Sequence, residues 1–423
     1  MGFADRYLSK QKGFKAYIAI PPSGRLRFIV VIPVYCETNL LSTLESLWNC
    51  QKPSQDAEVI LVINVPSDAD EAIKKINNTT ISETQEWIRD HNDPSLRFFI
   101  VDRHDLPPRD AGAGLARKIG MDEAVYRFSQ VDNPGGYILS FDADSRCDST
   151  YFTAIEHAVE TNPRLQGFDI YFEHPLEGTE YSQATYIAIT EYELHLRVVN
   201  QFMRYTGFHY DHHTVGSCFG VRADMYASQG GMNKRKGGED FYFLHKVIPL
   251  GHFADITTTR VIPSPRESFR VPFGTGPAIT RRIAEGSEMT TYSPESFMAL
   301  KQLFTVTPEF FRMPVDELVT RIKDLPVAMV EFLNFNDFVA SVAEINANTG
   351  TPETFTSRFF RWFDAFRMVK FLNFAAREHF PKVKVSAAAG ELIKLMGYPH
   401  PPSDTLELLR AFRKIETNRL ADQ

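Results

Sequence analysis

Tyr137-Ile138-Leu139-Ser140-Phe141-Asp142-Ala143-Asp144-Ser145 is an apolar run that ends in two carboxylates. Its first half has the pattern of a strand buried in a sheet. If the backbone stays extended beyond it, Asp142 and Asp144 point to the same side, because strand side chains alternate. Hard oxygen ligands so placed suit Mg²⁺ or Mn²⁺, cations that neutralise a diphosphate. A solvated acidic turn has the same composition. What distinguishes this pair is the strand it terminates and the strands around it.

Upstream lie three more apolar, β-branched runs: Arg27–Pro33 (RFIVVIP), Glu58–Asn64 (EVILVIN) and Leu96–Val101 (LRFFIV). Between the first two, Leu40, Leu41, Leu44, Leu47 and Trp48 form a helical stripe, with Thr38 as the expected N-cap. Ala113–Phe128 reads as a helix after a Gly-Ala-Gly turn. This alternation predicts an α/β protein with a doubly wound, mostly parallel sheet whose ligands gather at the carboxyl ends of the strands. Gly167–Phe172 and Ser217–Val221 read as further strands. The helix between them, at about Ala184–Tyr205, carries a stripe of Tyr186, Ile187, Ile189, Leu194, Val198, Phe202 and Met203 that suits a core face or a membrane surface. Beyond Gly286 the pattern is helical. Three Ser/Thr-Pro-Glu triplets, beginning at Ser293, Thr307 and Thr351, each read as a capped helix start.

The 423 residues carry 46 Lys+Arg against 53 Asp+Glu, a net charge of −7, and 43% are hydrophobic. That is the composition of a folded protein of two or three domains, and it argues against disordered and fibrous classes. Without a basic run, a nucleic-acid partner is not expected. The whole charge excess lies at the front: residues 291–423 hold 16 basic and 16 acidic side chains, together with 16 of the 34 phenylalanines. So aromatic a segment is expected to pack as a helical core, with an oligomer interface, acceptor platform or membrane contact as alternatives. Cys36, Cys50, Cys147 and Cys218 form no Cys-x-x-Cys pair and are expected to be reduced thiols. No apolar run approaches the ~18 residues of a membrane span, and residues 1–27 lack a signal-peptide core. The expectation is a cytoplasmic protein, with peripheral contact to the inner face of the membrane as an alternative.

A second acidic site, Gly237-Gly238-Glu239-Asp240-Phe241, opens an apolar helix. Carboxylates at a helix N-terminus are favoured in ionised form. They serve there as caps or, beside a metal site, as a base that takes a proton from an acceptor hydroxyl.

Together these residues resemble the GT-A-fold glycosyltransferases of family 2, mostly inverting enzymes that use nucleotide-diphospho-sugars. The resemblance runs from about Arg27 to Gly276. Val31-Ile-Pro33-Val-Tyr35-Cys36-Glu37 resembles the opening strand and turn, where the Pro, Tyr and Glu positions surround the nucleoside. Asp110-Ala-Gly112-Ala-Gly114-Leu-Ala-Arg117-Lys118-Ile-Gly120 is similar to the glycine-rich element, Asp142-Ala-Asp144 to the DxD metal motif, and Glu239-Asp240 to the ED motif. Val215–Arg222 with Gly230-Gly231-Met232 is similar to the acceptor-side segment before ED. The resemblance implies a GT-A catalytic domain over 27–286, preceded by an extension over 1–26 and followed by an all-α domain over 287–423. It implies a hexosyltransferase-type enzyme whose donor is a UDP- or GDP-sugar bound by Pro33, Tyr35, Glu37, Asn64, Gly114, Arg117 and Asp142. The acceptor would be a glycan, a lipid-linked molecule or a small molecule. Asp142 and Asp144 would hold Mn²⁺ or Mg²⁺, Asp240 would be the general base, and Glu239 would orient the acceptor or cap the helix. Some family features differ. Asn64 stands where an acidic pair is frequent, leaving the nucleobase open. Asp110 and Lys118 replace asparagines, as does Cys36 in the opening turn. A retaining transferase, a nucleotidyltransferase and a non-catalytic sugar-nucleotide-binding scaffold are the alternatives.

Arg266 and Arg270 lie in a Pro/Gly-punctuated stretch after the ED helix. They are expected either to close over the diphosphate or to pair with surface carboxylates. His209, His212 and His213 form an HxxHH pattern. With no Cys/His partner at zinc spacing, a contact to acceptor or donor phosphate is the expectation there instead. His252 is expected to be a core histidine or a third metal ligand.

Overall fold

The computed structural model describes residues 2–268, 274–334 and 337–417. Arg270 lies outside the described residues. Two compact units divide the chain: residues 1–186 with 212–281 form one, and residues 187–211 with 282–423 form the other.

The first unit is built on an eight-stranded sheet: β1 (Leu26–Val34), β2 (Asp56–Pro66), β3 (Leu96–Leu106), β4 (Tyr137–Ser140), β5 (Arg146–Cys147), β6 (Gly167–Phe172), β7 (Phe219–Arg222) and β8 (Phe253–Ile262). Their order is β3-β2-β1-β4-β7-β6-β8-β5. The pairs β1–β2, β2–β3, β1–β4 and β6–β8 are parallel. Only β5 and β7 run antiparallel to their neighbours. This is the expected α/β class. Phe28 through Ile32 of β1 are fully buried, as a strand covered by helices on both faces requires.

The chain winds outward from β1 through β2 to β3, then returns to place β4 on the other side of β1. The carboxyl ends of β1 and β4 therefore flank the point where the strand order reverses, which is where open α/β sheets leave a crevice. Val31 faces Ser140 across that pair, so the turns that follow β1 and β4 emerge side by side. The helix Ala113–Gln130 packs on the sheet there. A Cβ on Gly120 would lie 2.4 Å from Val31 Cγ1 and 3.0 Å from Val62 Cγ2, so a glycine is what brings the helix this close. The N-terminal residues lie on the same helix. Tyr7 Oη donates to Asp122 at 2.6 Å, and the Tyr17 and Ile18 amides donate to Glu123 at 3.0 and 3.2 Å.

Local expectations at three helix starts give way to the structure. The helix Leu40–Trp48 begins after Asn39 and not Thr38, with no side-chain cap. Thr307 opens a single 3₁₀ turn, Thr307–Phe310, and Ser293 turns its hydroxyl to Glu295 instead of a backbone amide. Thr351 does cap Pro352–Trp362, accepting from the Thr354 amide at 3.3 Å. Residue type and an extended backbone permit a cap, but at Ser293 the nearby Glu295 carboxylate takes the hydroxyl, and Thr307 lies inside its own turn.

Among its described residues, the second unit is helical apart from the two-residue strands Thr290–Thr291 and Val383–Lys384. Phe355, Phe359, Phe360, Phe363 and Phe371 are buried. Phe202 stacks on Phe297 with centroids 4.5 Å apart. Arg197, also buried, is paired with Glu193 at 2.8 Å and with Glu416. No helix among the described residues is long and apolar enough to cross a membrane.

Between β2 and the helix Ala113–Gln130, Glu58 and Arg127 form a fully buried ion pair, with Arg127 Nη2 2.7 Å from Glu58 Oε1. Removing one charge of such a pair strands the other in a low-dielectric interior. Glu58→Gln is expected to lower stability by about 3–5 kcal/mol in urea unfolding; an unchanged midpoint would contradict the burial of this pair.

Candidate active site

At the reversal point, acidic groups from distant parts of the chain meet two arginines. Strand β4 ends at Ser140, two residues before Asp142, and Ser145 N–H closes a turn onto the Asp142 carbonyl at 3.1 Å. Arg117, in the first turns of Ala113–Gln130, is 4% exposed. Its Nη2 pairs with Asp142 Oδ1 and its Nη1 with Glu239 Oε1. One guanidinium thus joins the carboxylate after β4 to the first residue of the helix Glu239–Val247. Burial works against the Arg117 charge, but Asp142, Glu239 and Asp240 outweigh it and hold the group protonated.

Small residues allow this convergence. A Cβ on Gly114 would lie 2.1 Å from the Arg235 carbonyl oxygen and 3.0 Å from Glu239 Cβ. A Cβ on Gly216 would lie 2.9 Å from Arg117 Nη2 and 3.0 Å from Asp240 Oδ2. Ser140 Oγ donates to the Gly216 carbonyl at 2.6 Å, tying that segment to β4. Gly216 lies in the Val215–Arg222 segment expected before the ED pair, without a role of its own in that reading, and its tight fit marks where Arg117 and Asp240 come together.

The ED residues divide their roles. The N-cap of their helix is Gly238, in the left-handed region at φ 68°. Glu239 therefore does not cap the helix; it is 3% exposed and engaged with Arg117. Asp240 Oδ1 accepts the Phe241 amide at 2.7 Å. Burial and the adjacent Glu239 push the Asp240 carboxyl up to about 7, against the opposing pull of Arg117 and the Phe241 amide.

A second arginine closes the other half. Arg266 Nη1 donates to Glu37 Oε1 at 2.8 Å, and its Nη2 lies 2.7 Å from Asp144 Oδ2. Glu37 is 1% exposed, in the turn after β1. Arg266 thus pairs with carboxylates, but with those of the site itself. Within that turn Cys36 adopts φ 49°, a left-handed conformation that asparagine tolerates better, and its amide donates to Asn77 Oδ1 at 3.0 Å.

The remaining positions are more dispersed. Asn64 is buried near the end of β2, while Pro33 is half-buried in β1 and Tyr35 half-buried just beyond it. His252 is neither a core histidine nor part of this cluster: it is exposed in a turn at φ 55°. His209 stacks on Phe360 in the second unit, centroids 3.9 Å apart, whereas His212 and His213 belong to the first.

No family profile matches the chain, and no curated protein sequence matches it. Among solved structures, it is similar to residues 1–349 of S. aureus TarS in complex with UDP-GlcNAc: 13% identity over 81% of this chain and 92% of that one, with a TM-score of 0.42. The same protein in complex with UDP gives 13% identity, 94% and 92% coverage, and a TM-score of 0.40.

Because the Asp240 pKa lies above the ordinary carboxylate value of about 4, the folded state favours the neutral acid. That contribution to stability is complete below about pH 4. It is lost as the pH rises through about 7. Asp240→Asn keeps that position uncharged at every pH, so its stability is expected to fall less between pH 5 and pH 8 than that of the unmodified chain. Parallel urea midpoints in the two proteins would show that Asp240 titrates as an ordinary surface acid.

Proposed function

We propose that this chain is a glycosyltransferase that moves a sugar from a nucleotide-diphospho-sugar to an acceptor hydroxyl, with inversion at the anomeric carbon. The observation that carries the reading is the single guanidinium of Arg117 joining Asp142 to Glu239, with Asp240 beside it raised to about 7. A carboxylate near neutrality is a competent general base, because it can accept a proton and still be ionised at working pH. In this reading Asp240 takes the proton of the acceptor hydroxyl as that oxygen attacks the anomeric carbon. The bond from that carbon to the diphosphate oxygen breaks, and the nucleoside diphosphate departs from the opposite face.

Asp142 and Asp144 fit a Mg²⁺ or Mn²⁺ ion. They are oxygen donors, their side chains are 36% and 26% exposed, and one or two carboxylates are what such nucleotide sites take from the protein. When bound, the cation would neutralise the charge that develops on the leaving diphosphate. The protein's own part is to position and to compensate. Arg117 Nε and Arg266 Nε are buried without a hydrogen-bond partner among the described residues, so each guanidinium keeps a donor that a phosphate oxygen satisfies. Arg266, bonded to Asp144 and Glu37, would transfer that bond to the diphosphate on donor binding. Pro33, Tyr35, Glu37 and Asn64 would line the nucleoside side of a UDP- or GDP-sugar.

Asp240→Asn is expected to reduce transfer at least a thousandfold, measured as nucleoside diphosphate release with acceptor present, while donor affinity stays within about threefold. Persistent turnover in that variant would remove Asp240 from the base role. The base must be ionised, so kcat/KM is expected to rise about tenfold per pH unit below its pKa and to level off above about 7. A profile flat from pH 5.5 to 8.5 would contradict the assignment. Chelation of divalent cations is expected to abolish transfer and Mn²⁺ to restore it.

A further inference from the structure

A second cluster of ligand atoms lies in the first unit and shares no residue with the site above. Asp169 stands on β6 and Asp255 on β8, and the two are partners in the parallel register of those strands. Side chains in register on neighbouring strands project from the same face of a sheet. His212, where the chain resumes in the first unit, brings Nδ1 against Asp255 Oδ1. One ligand atom from each of the three residues lies within 4.8 Å of the other two. Asp169 is 4% exposed and accepts the His213 amide at 2.8 Å, which fixes its carboxylate. The ring of Phe253, centroid 4.7 Å from that of His212, supports the imidazole from one side.

Two carboxylates this close repel each other, and burial of one sharpens the repulsion because less water screens it. An imidazole nitrogen and two carboxylate oxygens are the donor set of three-ligand sites for first-row divalent cations, in which water completes the shell. Around an ion with bonds of about 2.0–2.2 Å, ligand atoms sit roughly 3–4 Å apart, so a bound ion would replace the direct hydrogen bond between His212 Nδ1 and Asp255 Oδ1 and part those two atoms slightly. We propose that Asp169, His212 and Asp255 form a divalent-metal site taking Zn²⁺ or Mn²⁺, which clasps the segment beginning at His212 to β6 and β8. The site stands independently of the transferase reading.

The test is isothermal titration of the full-length chain carrying Asp142→Asn and Asp144→Asn, freed of metal and titrated separately with ZnCl₂ and MnCl₂. One equivalent of at least one cation is expected to bind. Adding His212→Ala, or Asp255→Asn in its place, is expected to weaken binding at least tenfold while the circular dichroism spectrum is unchanged. In case both added variants unfold, the Asp142→Asn/Asp144→Asn chain is followed by ¹⁵N NMR of its histidine rings during the titration; the Nδ1 resonance of one histidine is expected to shift and saturate at one equivalent. Absence of binding to that chain, equal affinity in both folded variants, or histidine rings unmoved by either cation would overturn the proposal.

Discussion

The guanidinium of Arg117 is the constraint on which the first unit's acidic centre depends. It is buried, it carries a charge it cannot lose, and its two ends are claimed by carboxylates from a strand terminus and a helix terminus. A cation in that position is tolerable only with its partners in place, because an unpaired buried charge costs several kcal/mol. The surrounding glycines follow from it. Gly114 lets the backbone at Arg235 approach the helix that bears Arg117, and Gly216 leaves room for the guanidinium beside Asp240. A glycine-rich element that looks like a ligand cradle in the sequence is therefore also a packing device.

The electrostatics of the centre form two linked halves. Asp142 and Glu239 share Arg117, and Asp144 and Glu37 share Arg266. Asp240 sits beside the first half, close enough to Glu239 for its own ionisation to be penalised. The two acids at the start of one helix thus differ in environment: Glu239 is spent on the arginine, and Asp240 keeps a proton that it releases near neutrality. In the proposed reaction that difference separates a positioning carboxylate from a base.

Much of the architecture was legible in the residues. The apolar runs of β1 to β4 and the helix at Ala113 sit where their periodicity and composition put them, because strands buried on both faces carry a continuous apolar signal. Asp142 and Asp144 fall just past a strand for the same reason. Less legible were features that depend on a few backbone angles. Asn39 and not Thr38 precedes its helix, Thr307 opens a single turn, and Gly238 caps the helix where Glu239 was one expectation. The helix Gln183–Tyr205 stands where its stripe put it, but that residues 187–211 belong to the helical unit left no sign, since an apolar stripe does not name the core it faces.

By itself, the sequence determined an α/β unit with acidic residues at a strand's end and a phenylalanine-rich helical unit. These are properties of local periodicity and of composition, which need no knowledge of distant contacts. Only the tertiary structure decided which charges face one another. Asp169 and Asp255 are unremarkable acids in two separate strands, and His212 lacked any metal partner at a recognisable spacing. Parallel pairing of β6 with β8 brings the three together. A parallel pair joins segments far apart in the chain, so no spacing within the sequence can announce it.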